Sequence, residues 1–187
     1  MEAKTRVTLD RSSWVRAAIE VLADQGVDGL RVEVLAKQCG VTKGSFYWHF
    51  KDRRDLLDAV LQTWKDGRIR DIVKQTRAEP GKELPQVYHV IEVYSANRNR
   101  KGILIELAVR DWARRDPAAH RAVEEVDRKR VECGKELFLR LGLPDDEAAA
   151  RSLLLYAYVF GQSLMVYDRY DENVARLKQL IADRIAR

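Results

Sequence analysis

The sequence is poor in cysteine and has no long apolar run, and each shortage excludes a class of protein. Its two cysteines, Cys39 and Cys133, lie far apart and form no CxxC or Cys/His cluster. This argues against a zinc site or a disulfide framework and favours the reducing cytoplasm as the location of the protein. The longest apolar run, residues 153–160, is far shorter than the roughly 20 residues that cross a bilayer. We therefore expect no transmembrane segment.

Residues that break helices are also scarce. Four prolines and ten glycines occur among 187 residues, and they fall between stretches in which apolar residues recur with a helical period. No stretch alternates like a β-strand for more than a few residues. The pattern predicts an all-α chain of about nine helices. The first is predicted at residues 12–25, capped by Ser12 or Ser13 and stopped by Gly26, and the last two at residues 146–167 and 172–186.

The charges are nearly balanced. Lys and Arg number 34 and Asp and Glu number 29, so the formal net charge is +5. A hydrophobic fraction of 46% beside this many charges is typical of a folded globular chain and excludes a disordered one. The small positive excess is compatible with a polyanionic partner but does not identify one.

A helix-turn-helix pattern lies between residues 32 and 50. Two short helices, predicted at residues 32–39 and 43–49, are joined at Gly40, which has access to the left-handed conformation that a tight reversal needs. Thr42 is placed to cap the second helix. The apolar contacts expected to fix the two helices come from Leu35, Ala36, Val41, Phe46 and Phe50. Taken alone, the pattern also fits an ordinary helical hairpin with a solvated face.

The second helix has a face that is too polar and too aromatic for a protein core. Lysine donates to guanine acceptors, serine to bases or phosphates, and aromatic rings contact thymine methyl groups and sugars. Nearby, basic residues exceed acidic ones, with Arg31, Lys37, Lys51, Arg53 and Arg54 against Glu33 and Asp52. The residues expected to face DNA from this helix are Lys43, Gly44, Ser45, Tyr47, Trp48 and His49.

The order and spacing of these residues resemble a known family. The resemblance is carried by Gly29-Leu30, Leu35-Ala36, the continuous run from Gly40 to Phe50, and Asp55-Leu56-Leu57. Together they look like the N-terminal domain of the TetR (tetracycline repressor) family of bacterial transcriptional regulators, over about residues 12–60. The resemblance implies a three-helix DNA-binding domain at residues 1–51 and a larger helical effector-binding and dimerisation domain at residues 52–187.

The same resemblance implies a homodimer, most often a repressor, that binds a near-palindromic operator in double-stranded DNA and is released by a small apolar or aromatic effector. Such a protein acts in the bacterial cytoplasm, at the nucleoid when bound to DNA.

Many members of the family have a basic or small polar residue at the start of the first motif helix, where this chain has Glu33. A carboxylate at this position repels phosphate but can accept a hydrogen bond from a cytosine amino group. Major-groove contacts are implied for Lys43, Gly44, Ser45, Tyr47 and Trp48, and phosphate-side contacts for Thr42, Tyr47, His49, Lys51 and Arg53, with Arg31 adding to the DNA-binding set.

A dimer interface is expected on the last two helices, because helix-turn-helix proteins usually bind two-fold sites as dimers. Residues 153–160 are apolar on all sides, so this helix must be buried on opposite sides, one of which can face a partner. A monomeric helical bundle is the alternative. The expected interface residues are Leu154, Tyr158, Gly161, Met165, Val174, Leu177 and Ile181.

Aromatic and hydroxyl-bearing residues on the middle helices are typical of an apolar small-molecule pocket with a few polar tips. Taken singly, each of them fits core packing better than ligand contact. The long helix predicted from Asp52 to about Arg77 is the expected lever between pocket and DNA-binding domain. The expected pocket residues are Trp64, Tyr88, Ile91, Tyr94, Trp112, Tyr156 and Phe160.

Two other functions remain open from the sequence. An architectural DNA binder without an effector would bind all sequences equally. A helical-bundle enzyme would need a catalytic or metal cluster, whereas His49, His89 and His120 lie on different predicted helices and no nucleophile stands beside a base. We expect no enzyme activity, no metal and no cofactor.

Overall fold

A computed structural model describes residues 9–95, 100–165 and 173–187 of the chain. Within these ranges there are nine α-helices and no β-strand, which confirms the predicted all-α fold. None of the helices in the described ranges is long and apolar enough to cross a bilayer. A 3-10 turn lies at Val27–Gly29, and the α-helices are α1 (Arg11–Gln25), α2 (Val32–Gln38), α3 (Lys43–Phe46), α4 (Arg53–Thr76), α5 (Glu83–Ser95), α6 (Arg100–Ala113), α7 (Pro117–Arg140), α8 (Asp145–Leu164) and α9 (Val174–Ala186).

The start of α1 differs from the prediction, because its cap is Asp10 rather than Ser12 or Ser13. The Asp10 carboxylate accepts from the Ser13 amide at 2.7 Å and from the Ser12 hydroxyl at 2.9 Å. Hydrogen bonds from Ser13 hold the pKa of this carboxyl at about 2. The two serines therefore support the cap instead of forming it. Gly26, with φ at 68°, ends the helix as predicted.

The second helix of the helix-turn-helix is shorter than the predicted 43–49, since α3 ends at Phe46. The Phe46 carbonyl accepts from the amides of both His49, at 2.9 Å, and Phe50, at 3.0 Å. The tighter three-residue bond turns the chain so that Phe46 and Phe50 are both buried. Helix α8 ends at Leu164, earlier than the predicted Tyr167, because the backbone of Met165 is already extended. Helix α9 is described from Val174, and its predicted start at Glu172 lies outside the described residues.

The internal contacts of the chain divide it into two units, and the first comprises Met1–Gly67 and Lys101–Glu125. Its described part contains α1, α2, α3, most of α4, nearly all of α6 and the beginning of α7. Trp14, Leu22, Leu35, Phe46 and Leu56 are fully buried in it. This unit therefore provides the whole helix-turn-helix with a core of large apolar side chains.

The second unit comprises Arg68–Arg100 and Val126–Arg187, and its helices α5, α8 and α9 pack against one another. Its core includes Val87, Leu155, Val159 and Ile185. Helices α7 and α8 meet at Gly134, where an added Cβ would lie 2.4 Å from the Ser152 hydroxyl oxygen. Only a residue without a side chain fits there.

Candidate nucleic-acid interface

The turn between α2 and α3 has the geometry that the sequence predicts. Gly40 has φ at 65°, in the left-handed region, and the Val41 amide donates to the Ala36 carbonyl at 3.0 Å. Of the five predicted apolar contacts, Leu35, Ala36, Phe46 and Phe50 are buried, and Val41 is half-buried. These contacts hold α3 against α2 and leave the opposite side of α3 open to solvent.

Phe46 anchors α3 in an aromatic cluster. Its ring contacts Trp14 edge-on at 5.4 Å between centroids and stacks on Phe50 at 5.1 Å. The Tyr47 ring meets it edge-on at 5.2 Å. Because Phe46 points into the core, the residues on either side of it point outward from a rigid support.

The outward face of the α3 region carries exposed aromatic and basic side chains. Trp48 is 87% exposed and Tyr47 is 58% exposed, which is unusual for rings of this size. Lys43, Gly44 and Lys51 are exposed as well, and Ser45 and His49 are half-buried. Exposed rings beside basic groups are suited to contact bases, sugars and phosphates.

Thr42 occupies the cap position of α3, but its side chain makes no capping bond. Instead, its carbonyl accepts from the Ser45 amide at 3.1 Å and from the Ser45 hydroxyl at 2.9 Å. Thr42 is therefore the cap residue that the sequence predicts, but its carbonyl rather than its hydroxyl makes the bonds at this end of the helix. Its side chain is exposed and remains available to another acceptor or donor.

Substitution of two glycines in this region should affect the stability of the protein differently. Gly40→Ala is expected to lower the free energy of unfolding by about 1–2 kcal/mol, because alanine is strained in the left-handed region although nothing lies within 4 Å of the added Cβ. Gly44→Ala should not destabilise the protein, since its nearest neighbour, the Thr42 hydroxyl, is 3.7 Å away. Urea denaturation of both variants tests this, and equal destabilisation would contradict it.

Arg11 joins the beginning of α1 to α4, a role that sequence reasoning missed. Its guanidinium lies 4.2 Å from the centre of the Phe50 ring, donates to Asp55 at 2.8 Å and also donates to the His49 carbonyl. This hydrogen bond from Arg11 lowers the pKa of the Asp55 carboxyl. His49 and Asp55 lie 38 and 44 residues from Arg11 along the chain, so local sequence patterns give no sign of these contacts.

At the beginning of α4, Asp52 and Asp55 form one half of a reciprocal capping pair. Asp52 accepts from the Asp55 amide at 2.9 Å, as a helix cap does. The Asp55 carboxylate accepts from the amide of Lys51, at 3.0 Å, rather than from Asp52. The backbone of Lys51 is thus fixed beside the exposed face, which positions its side chain there.

Arg53 and Arg54 connect the first turn of α4 to two other parts of the first unit. Arg53 donates to the carbonyls of Leu30, at 2.6 Å, and Val27, at 2.8 Å. Arg54 pairs with Asp58 and, at 2.6 Å, with Asp116, just before α7. Arg53, predicted as a phosphate contact, thus also supports the loop before α2.

Removing the Arg53 side chain should affect both stability and DNA binding. Arg53→Ala is expected to lower the free energy of unfolding by about 1–2 kcal/mol through the lost carbonyl contacts. It should also weaken specific and non-specific DNA binding and reduce the salt slope by about one. Arg53→Lys keeps the charge, so it should preserve the slope while still losing stability. An unchanged slope in Arg53→Ala would mean that this side chain does not contact phosphate.

Glu33 and Lys43 form an ion pair across the helix-turn-helix. Glu33 lies in the first turn of α2 and Lys43 is the first residue of α3, and the carboxylate accepts from the ammonium group. This hydrogen bond lowers the pKa of Glu33 and raises the pKa of Lys43. The predicted base contact Lys43 is therefore held by an acidic residue on the same face.

The residues of the predicted effector pocket belong to both units. In the second unit, Tyr94 meets Tyr156 edge-on at 6.2 Å and Phe160 at 6.5 Å between ring centroids, and Ile91 is buried. Burial raises the pKa of the Tyr156 hydroxyl. Tyr88 donates its hydroxyl to Asp183 on α9 at 2.6 Å, so its polar tip is engaged within the fold.

In the first unit, the pocket residues Trp64 and Trp112 are buried. The indole N–H of Trp64 has no hydrogen-bond acceptor among the residues that the structure describes. A buried donor without a partner is costly and is a natural contact for a ligand acceptor. The assignment of all seven residues to one pocket stays a prediction.

The residues of the predicted dimer interface lie on α8, α9 and the chain just beyond α8. Leu154, Met165, Leu177 and Ile181 are exposed, whereas Tyr158, Gly161 and Val174 are half-buried. Each helix also has a buried face, with Leu155 and Val159 on α8 and Ile185 on α9. Both helices thus have a second apolar face open to solvent, and its role in dimerisation stays a prediction.

No group of three His, Cys, Asp or Glu side chains within the described ranges is arranged to hold a metal ion. The three histidines lie on or beside different helices, namely α3 for His49, α5 for His89 and α7 for His120.

Comparison with known proteins matches the helix-turn-helix region to one family. Residues 15–60 match the family described as "Bacterial regulatory proteins, tetR family". The tetracycline repressor protein class C of Escherichia coli is 44% identical over 54 residues, which are 29% of this chain and 25% of the repressor. The transcriptional regulator AcrR of Shigella flexneri is 30% identical over 102 residues, 52% of this chain and 46% of AcrR. The matched region thus spans about a quarter to a half of the length of these relatives.

Solved structures with the same fold cover nearly the whole chain. A member of the TetR family from Streptomyces coelicolor matches 95% of this chain and 98% of its own, with a TM-score of 0.63 and 22% identity. A protein assigned as a transcriptional regulator from Saccharomonospora viridis, solved in complex with choline, matches 94% of both chains, with a TM-score of 0.74 and 18% identity. These relatives are regulators rather than enzymes. Over residues 15–60, the region of the helix-turn-helix, the chain is thus similar to the TetR family of bacterial regulatory proteins.

Proposed function

We propose that this protein is a homodimeric, sequence-specific DNA-binding transcriptional regulator, most often acting as a repressor. The observation that carries the proposal is the exposed face of the α3 region, where Tyr47 and Trp48 stand in solvent beside Lys43 and Lys51. Tryptophan is highly buried on average in folded proteins, so a Trp48 side chain that is 87% exposed beside the exposed Tyr47 favours a surface that binds a partner. Double-stranded DNA fits both the rings and the positive charges.

The side chains of this face divide by their reach. Lys43, Gly44, Ser45, Tyr47 and Trp48 are proposed to face the bases of the major groove, and Arg31, Thr42, His49, Lys51 and Arg53 the phosphates, with Tyr47 shared between the two. Residues 1–51 then form the DNA-binding domain and residues 52–187 the domain for dimerisation and effector binding. A protein bound to the chromosome in this way acts in the bacterial cytoplasm.

The exposed leucines of α8 and α9 support a dimer. Leu154 is 52% exposed and Leu177 is 39% exposed, on helices whose other faces are buried. Pairing α8 and α9 with those of a second copy forms a four-helix interface that removes this apolar surface from water. The two recognition helices then reach half-sites about 34–36 Å apart on a near-palindromic operator.

An effector of small, apolar or aromatic character is proposed to control DNA binding. The cluster of Tyr94, Tyr156 and Phe160, all within the second unit, supplies the aromatic surface for such a ligand. The choline-bound neighbour of the same fold supports a small-molecule site in this architecture. Helix α4 is the proposed lever, because Arg53 and Arg54 in its first turn contact the loop before α2 and the residue preceding α7.

Effector control makes a reciprocal prediction. Aromatic compounds that raise the melting temperature of the free protein should weaken operator binding, and operator should weaken their binding by the same factor. Tyr94→Ala should reduce their affinity by about tenfold, roughly the loss of one aromatic contact, while Tyr47→Ala leaves it unchanged. Titration calorimetry with and without operator measures both factors. Equal affinity for the free and the operator-bound protein would exclude these compounds as effectors.

Footprinting tests the proposed function. The DNA probe should include the region upstream of the gene itself, because such regulators often repress their own gene or a neighbour. The expected result is a protected near-palindrome. An architectural binder would protect all sequences equally, and an enzyme would protect none.

A further inference from the structure

The Glu33–Lys43 pair has a position that stability does not explain. The Glu33 side chain is 62% exposed and the Lys43 side chain 52% exposed, and an ion pair so open to water contributes little to folding. The pair nevertheless places a carboxylate on the face proposed to approach phosphates, where it is repelled. We therefore expect the Glu33 carboxylate to make a contact of its own in the complex with DNA.

The pair presents a hydrogen-bond donor directly beside an acceptor. An ammonium group has three donors, and one of them serves Glu33. The other two donors of Lys43 remain available to DNA. A carboxylate has about four lone-pair positions, so it can accept from Lys43 and from a second donor at once. Because the two residues lie on α2 and α3, which are held by the buried Leu35 and Phe46, the fold places their backbones close enough for the side chains to pair.

The G·C pair matches this arrangement best in the major groove, because it offers two acceptors to the ammonium and one donor to the carboxylate. Guanine presents two acceptors, N7 and O6, next to the N4 amino donor of its cytosine. The O6 and N4 atoms are hydrogen-bonded to each other and hence about 2.9 Å apart, the spacing of a donor and acceptor in an ion pair. A T·A pair also presents an acceptor, thymine O4, next to an amino donor, adenine N6, but a methyl group stands where guanine has N7, so the ammonium loses its second acceptor. On an A·T pair in the reverse orientation, the carboxylate faces thymine O4 and is repelled.

We infer that Glu33 and Lys43 together read one G·C pair in each operator half-site, with Lys43 donating to guanine and Glu33 accepting from the cytosine amino group. This inference rests on the proposed function. Glu33 is then a specificity-determining residue that also positions Lys43. Its pairing with Lys43 keeps the carboxyl ionised, because the hydrogen bond lowers its pKa.

Selection of half-sites from a randomised DNA library tests the inference. The proteins compared are the wild type, Glu33→Gln, Glu33→Ala and a control, Glu20→Gln. Glu20 lies on α1 and also pairs with a lysine, Lys101, so the control removes the same charge and the same kind of exposed pair. Melting temperatures of all four should agree within a few degrees, because an exposed pair contributes little stability.

The wild type should prefer G·C over A·T at one position of each half-site by about 5- to 150-fold, the range of one good base contact. Both Glu33 variants should lose most of this preference at that position alone, whereas Glu20→Gln should keep it. If the Glu33 variants retain every base preference, or bind all sequences more tightly by one common factor, Glu33 acts only as a repelling charge and the inference fails. If the wild type selects no motif, the proposed function itself fails, and the inference with it.

Discussion

Lys43→Ala and Tyr47→Ala are each expected to weaken operator binding by about 5- to 150-fold, the equivalent of about 1–3 kcal/mol for a lost base contact. Binding to non-specific DNA should fall much less. The reason is geometric: both side chains are exposed on the side of the α3 region opposite the buried Phe46, where a groove-bound helix presents its readers. Fluorescence anisotropy with operator and scrambled DNA at one salt concentration measures the ratio.

Lys74→Ala is the matched control for the charge lost with Lys43. Lys74 is exposed in the last turn of α4, well away in sequence from the helix-turn-helix. It should leave the ratio of specific to non-specific affinity unchanged. If Lys43→Ala also leaves the ratio unchanged, the orientation proposed for α3 in the groove is wrong.

A carboxylate placed on the apolar faces of α8 and α9 is expected to have a larger effect. Leu154→Asp combined with Ile181→Asp should convert the dimer to a monomer, because burying unpaired carboxylates costs several kcal/mol. Operator affinity should then fall by about a hundredfold or more, since a monomer reads one half-site and loses the gain from simultaneous binding. Sedimentation velocity and operator binding measure the two effects.

The control for this variant is Val73→Asp, which places the same charge on another exposed apolar residue, on α4. It should remain dimeric and bind operator normally. A double variant of Leu154 and Ile181 that stays dimeric would show that α8 and α9 do not form the interface.

Features that depend on near neighbours could be predicted from the sequence. Gly26 and Gly40 have the positive φ values that their places after α1 and α2 require. Phe46 and Phe50 are buried as the apolar spacing indicates. The residue that caps α1 could not be predicted, because Asp10, Ser12 and Ser13 all have side chains suited to an N-cap. The path of the backbone before the helix makes Asp10 the cap.

Features that depend on distant partners could not be predicted. Arg11 with Asp55, Arg54 with Asp116 and Glu33 with Lys43 are brought together by the fold, and no local pattern marks them. The aromatic residues pose a different difficulty. Tyr94 and Tyr156 form an apolar stripe whether they pack a core or line a pocket, so periodicity does not distinguish the two.

The central claim is that the exposed face of the α3 region reads a specific DNA sequence. The most direct test is the ratio of the wild-type affinities for the selected operator and for a scrambled duplex of the same length and salt concentration. The proposed function predicts a ratio of about a thousand or more. A ratio near one, with tight binding to both duplexes, would contradict it and would identify the protein as a sequence-independent DNA binder.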